Sequence, residues 1–205
     1  MIMGHCALIL AGGMGSRLGY REKALIDIKG RPLIVLVIEK LKNVVDTIIV
    51  SVRDEAQGKM LESFLPGCRF AYDTYKNVGP LAGILSGLEA CEDDLCFIAA
   101  CDMPFINENV VTMLFEKSEH HDAAIPRWDD GFLEPLHAVY KRKPMLRETK
   151  KAVEKGETII LAPIFKLNVN YVPVEEIRKI DPGLRTFMNI NTYHDIEQII
   201  RNTRY

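Results

Sequence analysis

Short unbroken apolar runs alternate along the chain with stretches whose apolar positions recur every three to four residues. His5–Leu10 ("HCALIL"), Thr47–Val52 ("TIIVSV"), Arg69–Asp73 ("RFAYD"), Leu95–Cys101 ("LCFIAAC") and Asp122–Pro126 ("DAAIP") read as strands. Between them lie four helical stretches: one near Arg31–Asn43, then "EAQGKMLESFL", "GPLAGILSGLEAC" and a segment around Asn107–Glu119. Strands that are apolar throughout are covered on both faces. Their alternation with helices implies right-handed crossovers and a parallel sheet. The pattern predicts the α/β class: a Rossmann-like three-layer sandwich with a mostly parallel twisted sheet, in a single domain spanning residues 1–205.

The texture changes after Arg127. "DGFLEPLHAVYKR" reads as a hairpin-like pair of strands, followed by a helix through Lys155 and a short one near Thr158–Lys166. A strand "NVNYVPV", an irregular stretch and a terminal helix from Thr192 to about Asn202 complete the series. No linker or repeat interrupts it. Residues 128–205, the last third, are expected to cover a substrate cleft.

Composition narrows the possibilities. With 26 Lys and Arg against 28 Asp and Glu, the formal charge is −2, which removes the electrostatic basis for non-specific nucleic-acid binding. The apolar N-terminal segment is short and lacks a basic leader, so it reads as a first strand. No apolar run reaches the length of a membrane span. The expected setting is the cytoplasm, with neither nucleic acid nor membrane as a partner. The 5 cysteines include no C-x-x-C pair, so no disulfide framework or standard zinc site is suggested. Cys91, Cys96 and Cys101 recur at intervals of five, but Cys96 and Cys101 bracket an apolar strand where thiols pack as small hydrophobes. No metal cluster is expected there.

Chemistry enters with "LILAGGMGSRLGYREKAL", Leu8–Leu25. In an open parallel sheet, ligands sit beyond the carboxyl ends of the strands, so the loop after the first strand is the natural phosphate site. Gly12 and Gly13 allow the backbone to approach a ligand closely, and Gly15 and Gly19 keep the loop flexible. The spacing departs from G-x-G-x-x-G, whose third glycine would fall on Leu18. It also departs from the Walker loop, because Tyr20 follows Gly19. What remains is A-G-G-x-G-x-R-L/M-G with Lys23 four residues beyond the last glycine. Arg17 and Lys23 are the cations placed to meet a polyphosphate.

Asp102 emerges directly after the strand "LCFIAAC", at the ligand-bearing edge. One carboxylate is enough to anchor Mg²⁺, which keeps several of its waters. Asn107, a better cap, leaves Asp102 free of a capping duty to the next helix. Gly79, which opens "GPLAG", offers small residues at a helix start, where free N–H groups can face an anion. Asp73 lies six residues ahead of it.

Taken in order, LAGGMGSRLG, EKAL, GRPL, GPLAG, ACDMP, EPLHAVY and NINT resemble the molybdenum cofactor guanylyltransferases, a family of nucleotidyltransferases of the sugar-nucleotide and molybdopterin type. The resemblance covers nearly the whole chain. It implies transfer of GMP from GTP to the terminal phosphate of a molybdopterin, with release of pyrophosphate and no protein nucleophile. It further implies Arg17, Lys23 and Asp102 as catalytic residues, with Asp102 also the Mg²⁺ ligand. Leu10, Ala11, Gly12, Gly13, Gly15, Lys23, Ser51, Asp73, Gly79 and Asp102 would bind the nucleotide, and Asn189, Asn191 and His137 the acceptor. GTP and a molybdopterin-type acceptor are the implied partners, with transient contact to proteins of cofactor synthesis or delivery. Ser51 stands where the family usually carries asparagine, Glu22-Lys23 replaces Asp-Lys, and "NTYHD" replaces the usual ending. Alternative readings are nucleotidyl transfer to another small phosphate (a cytidylyl-molybdopterin product, a sugar phosphate, phospholactate or cobinamide phosphate) and a non-catalytic nucleotide binder. His137 also reads as a structural strand histidine, His120-His121 as an exposed helix end, and Trp128 as a packing residue or a cover for a flat heterocycle.

Overall fold

The computed structural model describes residues 4–15, 21–192 and 194–197. The apolar runs become strands β1 (His5–Leu10), β2 (Thr47–Val52), β3 (Arg69–Tyr72), β4 (Leu95–Ala100) and β5 (Ala123–Arg127) of one sheet, joined by β6 (His137–Lys141) and β7 (Val169–Pro173). The strand order across this 7-stranded sheet is β7-β5-β6-β4-β1-β2-β3. All neighbours are parallel except β6, which runs antiparallel to both β4 and β5.

Side chains alternate across the pleat, so each strand feeds two cores. Ala7 and Ile9 of β1 face one, with α1 (Leu33–Leu41), α2 (Glu55–Glu62), α4 (Glu108–Lys117) and α7 (Val174–Arg178). Cys6 and Leu8 face the other, against α3 (Pro80–Ala90), α5 (Arg142–Glu154) and α6 (Leu161–Ile164). Helices on both faces make the three layers expected of a doubly wound α/β domain. The close seat of α3 depends on glycine: a Cβ on Gly87 would overlap the Leu8 side chain, and one on Gly83 would come within 2.5 Å of Ser51 Oγ.

Three details differ from the sequence reading. The segment after Arg127 forms a single strand, β6, that inserts between β4 and β5 rather than a local hairpin; only an isolated bridge joins Arg127 to Leu133. Its buried stretch His137–Tyr140 gains a full layer on each face in that central position. The helix read near Arg31–Asn43 begins only at Leu33, because Arg31 and Pro32 pair with Ile28 and Asp27 in a two-residue ladder. The terminal helix is helical at 194–197, and its later residues lie outside the described range. Asn107 caps α4 as expected, its side chain accepting from Asn109 N–H at 3.0 Å.

Candidate active site

Four parallel strands, β1 to β4, end at the same edge of the sheet, and the residues following each meet there. Ala11 N–H donates to Ser51 C=O at 2.9 Å, Asp73 N–H to Val52 C=O at 2.9 Å, and Cys101 N–H to Leu10 C=O at 3.2 Å. The result is a cleft of about 420 Å³ lined by Leu10, Gly12, Gly13, Lys23, Ser51 and Asp73, by Gly79, Pro80 and Gly83 of the α3 start, and by Cys101 and Asp102. Gly79 has φ 57°, a left-handed value that favours glycine, and opens α3 without a side-chain cap. Gly79, Pro80 and Gly83 place the start of α3 in the cleft wall.

The acidic side of the cleft is held by hydroxyls. Ser51 Oγ donates to Asp73 Oδ1 at 3.0 Å, and Ser86 Oγ to the same oxygen at 3.2 Å. Burial raises the Asp73 carboxyl above its ordinary value, and the two hydroxyls offset only part of that rise. Gly12 sits tightly here, since a Cβ would come within 3.2 Å of Asp73 Oδ2 and 3.4 Å of Arg53 N.

Lys23 is the centre of the cationic side. Its Nζ pairs with Asp102 Oδ2 and donates to Asn191 Oδ1 at 2.7 Å. Asp102 Oδ1 is buried with no hydrogen-bond partner. A buried carboxylate oxygen left unpaired is costly, and at a strand end facing a phosphate-sized space it fits a divalent cation.

A second cleft, about 230 Å³, abuts the first and shares Ala100, Asp102 and Leu136 with it. Its other walls are Met103, Phe132, Leu133, Glu134, Pro135, Ile160, Asn189 and Asn191. Ile190 N–H donates to Asp102 C=O at 2.9 Å, which brings the Asn189–Asn191 segment to that aspartate. Asp195 then anchors the segment by accepting from Asn191 N–H at 2.8 Å and Thr192 N–H at 2.7 Å.

Residues 7–166 match the model of the MobA-like NTP transferase domain. The chain is 46% identical over 204 residues to a probable molybdenum cofactor guanylyltransferase of Methanosarcina mazei, covering 97% of this chain and 91% of that one. It is 32% identical over 192 residues to a molybdenum cofactor guanylyltransferase of Desulfosudis oleivorans, covering 93% and 92%. The crystal structure of molybdopterin-guanine dinucleotide biosynthesis protein A from Archaeoglobus fulgidus superposes with a TM-score of 0.83 at 36% identity, covering 96% of this chain and 97% of that one. The chain belongs to the MobA-like NTP transferase family.

Within this nucleotidyltransferase the predicted residues fall unequally. Leu10, Gly12, Gly13, Lys23, Ser51, Asp73, Gly79 and Asp102 all line the first cleft. Ala11 is fully buried beneath it, and Gly15 belongs to a two-residue ladder with Arg21–Glu22. Arg17 lies outside the described residues. Asn189 and Asn191 line the second cleft. His137 does not: it is fully buried, bonded through Nε2 to Thr186 Oγ1 at 3.0 Å and packed edge-on against Phe97 and Phe187. Burial lowers its pKa to about 3, so it stands neutral behind the wall, and the direct acceptor contact is corrected to a packing role. Trp128 packs on Phe187 and donates to Glu134 Oε1 at 2.8 Å.

Sequence reasoning missed a supporting group. Gln57 Nε2 donates to Ala11 C=O at 2.8 Å and to Glu22 Oε2 at 2.7 Å, and Arg53 pairs with Glu22 Oε1 at 2.7 Å. Glu22 thus fixes the backbone beside Lys23. An Arg-x-x-x-Gln spacing straddling a helix start was the available signal. Glu134 was missed as a cleft residue although it opens a quoted motif; burial raises its pKa against the opposing Trp128 bond.

Proposed function

We infer that this nucleotidyltransferase is a molybdenum cofactor guanylyltransferase: it transfers GMP from GTP to the terminal phosphate of the molybdopterin cofactor. The observation that carries the reading is the meeting of two clefts at one carboxylate, Asp102. The names of the full-length relatives point the same way. In this reading the first cleft takes the nucleotide and the second takes the acceptor, so the two phosphates that react converge at Asp102. Residues 1–127 supply most of the nucleotide site, and residues 128–205 supply much of the acceptor wall.

The reaction is an in-line exchange. An oxygen of the acceptor's terminal phosphate forms a bond to the α-phosphorus of GTP, and the α–β bridging bond breaks to release pyrophosphate. A phosphate dianion is already ionised at neutral pH, so no side chain needs to remove a proton. Lys23 and Arg17 neutralise charge growing on the pyrophosphate, while the α3 N-terminus and the Gly12–Gly13 backbone hold the nucleotide phosphates. Asp102, whose Oδ1 is buried and unpaired, would hold a Mg²⁺ ion, which would supply further charge neutralisation on the triphosphate. Asn189 and Asn191 orient the acceptor, and Asn191 also steadies Lys23. GTP and a molybdopterin-type acceptor are the partners, joined in passing by proteins that deliver or receive the cofactor in the cytoplasm. No helix among the described residues is long and apolar enough to cross a membrane.

Guanine is selected by backbone groups around Leu10–Gly12. A site built for guanine's N1–H and amine leaves acceptors unpaired when cytosine enters, at about 1–3 kcal/mol each. With molybdopterin as acceptor, kcat/KM should favour GTP over CTP by roughly a hundredfold. Equal values or a CTP preference would assign the cytidylyl reaction instead. GTP binding with no pyrophosphate released on any acceptor would make the protein a sensor.

A further inference from the structure

The opposite edge of the sheet carries a second concentration of chemistry. Cys6 near the start of β1 and Cys96 near the start of β4 are partners in the parallel register. Cys91 is the residue that closes α3. All three are buried, at 0%, 2% and 0% exposure for Cys6, Cys91 and Cys96, and their sulfur atoms lie within 4.8 Å of one another. Cys6 Sγ and Cys91 Sγ are only 2.7 Å apart, well inside the separation two neutral thiols adopt when they merely pack.

We propose that Cys6, Cys91 and Cys96 form a binding site for a thiophilic divalent cation of the Zn²⁺ class. Three soft sulfur donors, with no histidine or carboxylate in the group, select zinc over magnesium or calcium. Zinc–sulfur bonds of about 2.3 Å set sulfur–sulfur edges of roughly 3.8 Å in a tetrahedron. Opening the Cys6–Cys91 pair by about an ångström gives that edge. The Asp93 carbonyl oxygen, 3.7 Å from Cys91 Sγ, is the candidate fourth ligand. Three thiolates and one Zn²⁺ carry a single negative charge. Arg142, whose buried Nε has no hydrogen-bond partner, is tied to the same corner of the sheet by donating its backbone N–H to Asp94 C=O at 2.9 Å. Binding releases the thiol protons to solvent and involves no electron transfer.

The spacing of the cysteines in the chain conceals the group, because one member comes from the first strand. The cation would tie three segments at the far end of α3, whose near end walls the nucleotide cleft. It is therefore a structural clamp and takes no part in transfer.

The test uses the full chain purified under reducing conditions without added metal. Elemental analysis should find about one zinc per chain. Cobalt substitution should give a sulfur-to-cobalt charge-transfer band. Restoring zinc to chelator-treated protein should raise Tm by roughly 5–10 °C. Cys96→Ser and Cys91→Ser should each lose the metal and the band, whereas Cys68→Ser keeps both. Should either variant fail to fold, the cobalt titration of the metal-stripped natural chain decides alone. Three freely titrating thiols that take up no cobalt, or a Cys6–Cys91 disulfide found by mass under these conditions, would overturn the proposal.

Discussion

The two clefts that meet at Asp102 are made differently. The first is lined largely by backbone and small side chains that directly follow parallel strands: Gly12 and Gly13 after β1, Asp73 after β3, and Asp102 after β4. The second is lined by larger side chains drawn from distant segments, among them Phe132, Glu134, Ile160 and Asn189. A nucleotide triphosphate asks for N–H groups and close approach, which strand ends and a helix start provide wherever the fold exists. An acceptor asks for shape, which only side chains supply. The shared wall is where one chemistry must serve both.

Substituting that wall should have the largest effect. Asp102→Asn keeps the shape but removes the charge that pairs with Lys23 and that the proposed mechanism assigns to Mg²⁺. Turnover should fall by about a thousandfold or more, with the fold preserved by circular dichroism. Near-normal turnover would mean that the clefts share a surface but no charge management.

The next effect separates a residue in the second cleft from one behind it. His137 is buried and neutral, with its pKa lowered to about 3. As pH drops below about 6.5, the unfolded chain takes up the proton first, so stability declines until the folded-state value is passed. Between pH 7 and pH 5 this one group should cost about 2 kcal/mol. His137→Gln should remove that part of the slope in urea unfolding while leaving the KM for the acceptor little changed. An unchanged slope with a weakened acceptor KM would put His137 in the cleft after all.

The smallest effect tests the division of labour directly. Asn189→Ala should raise the acceptor KM by roughly tenfold, the loss of one or two exposed hydrogen bonds, and leave the KM for GTP as it was. A parallel rise in both constants would erase the distinction between the clefts.

The contrast between clefts also marks what the amino-acid sequence discloses. Gly12, Asp73, Gly79 and Asp102 are legible because local rules act on them: a strand ends, a glycine permits approach, a helix starts. The five strands up to Arg127 follow from apolar runs for the same reason. The place of β6 between β4 and β5 is not legible, since strand order depends on which distant partner offers the better buried surface. His137 shows the limit most clearly. Its motif lies beside the second cleft, but the pleat turns alternate residues of a strand to opposite faces, and His137 turns inward to Thr186. The Gln57–Glu22–Arg53 group escaped because its members are separated along the chain and meet only through the fold.

The hydrogen bond from Lys23 to Asn191 spans 168 positions of the chain, and this bears on the order in which the protein can come into being during synthesis. The central strands β1, β2 and β4 are all translated once Ala100 has been added, and they can pair while the ribosome is still at work. The lysine, however, finds its second partner only after Asn191 has cleared the exit tunnel. A nascent chain can therefore possess the strand-end edge well before Lys23 has both of its partners. At about 5–20 residues per second, that interval lasts several seconds, during which the cleft wall stands without the bond that closes it on the last segment of the fold.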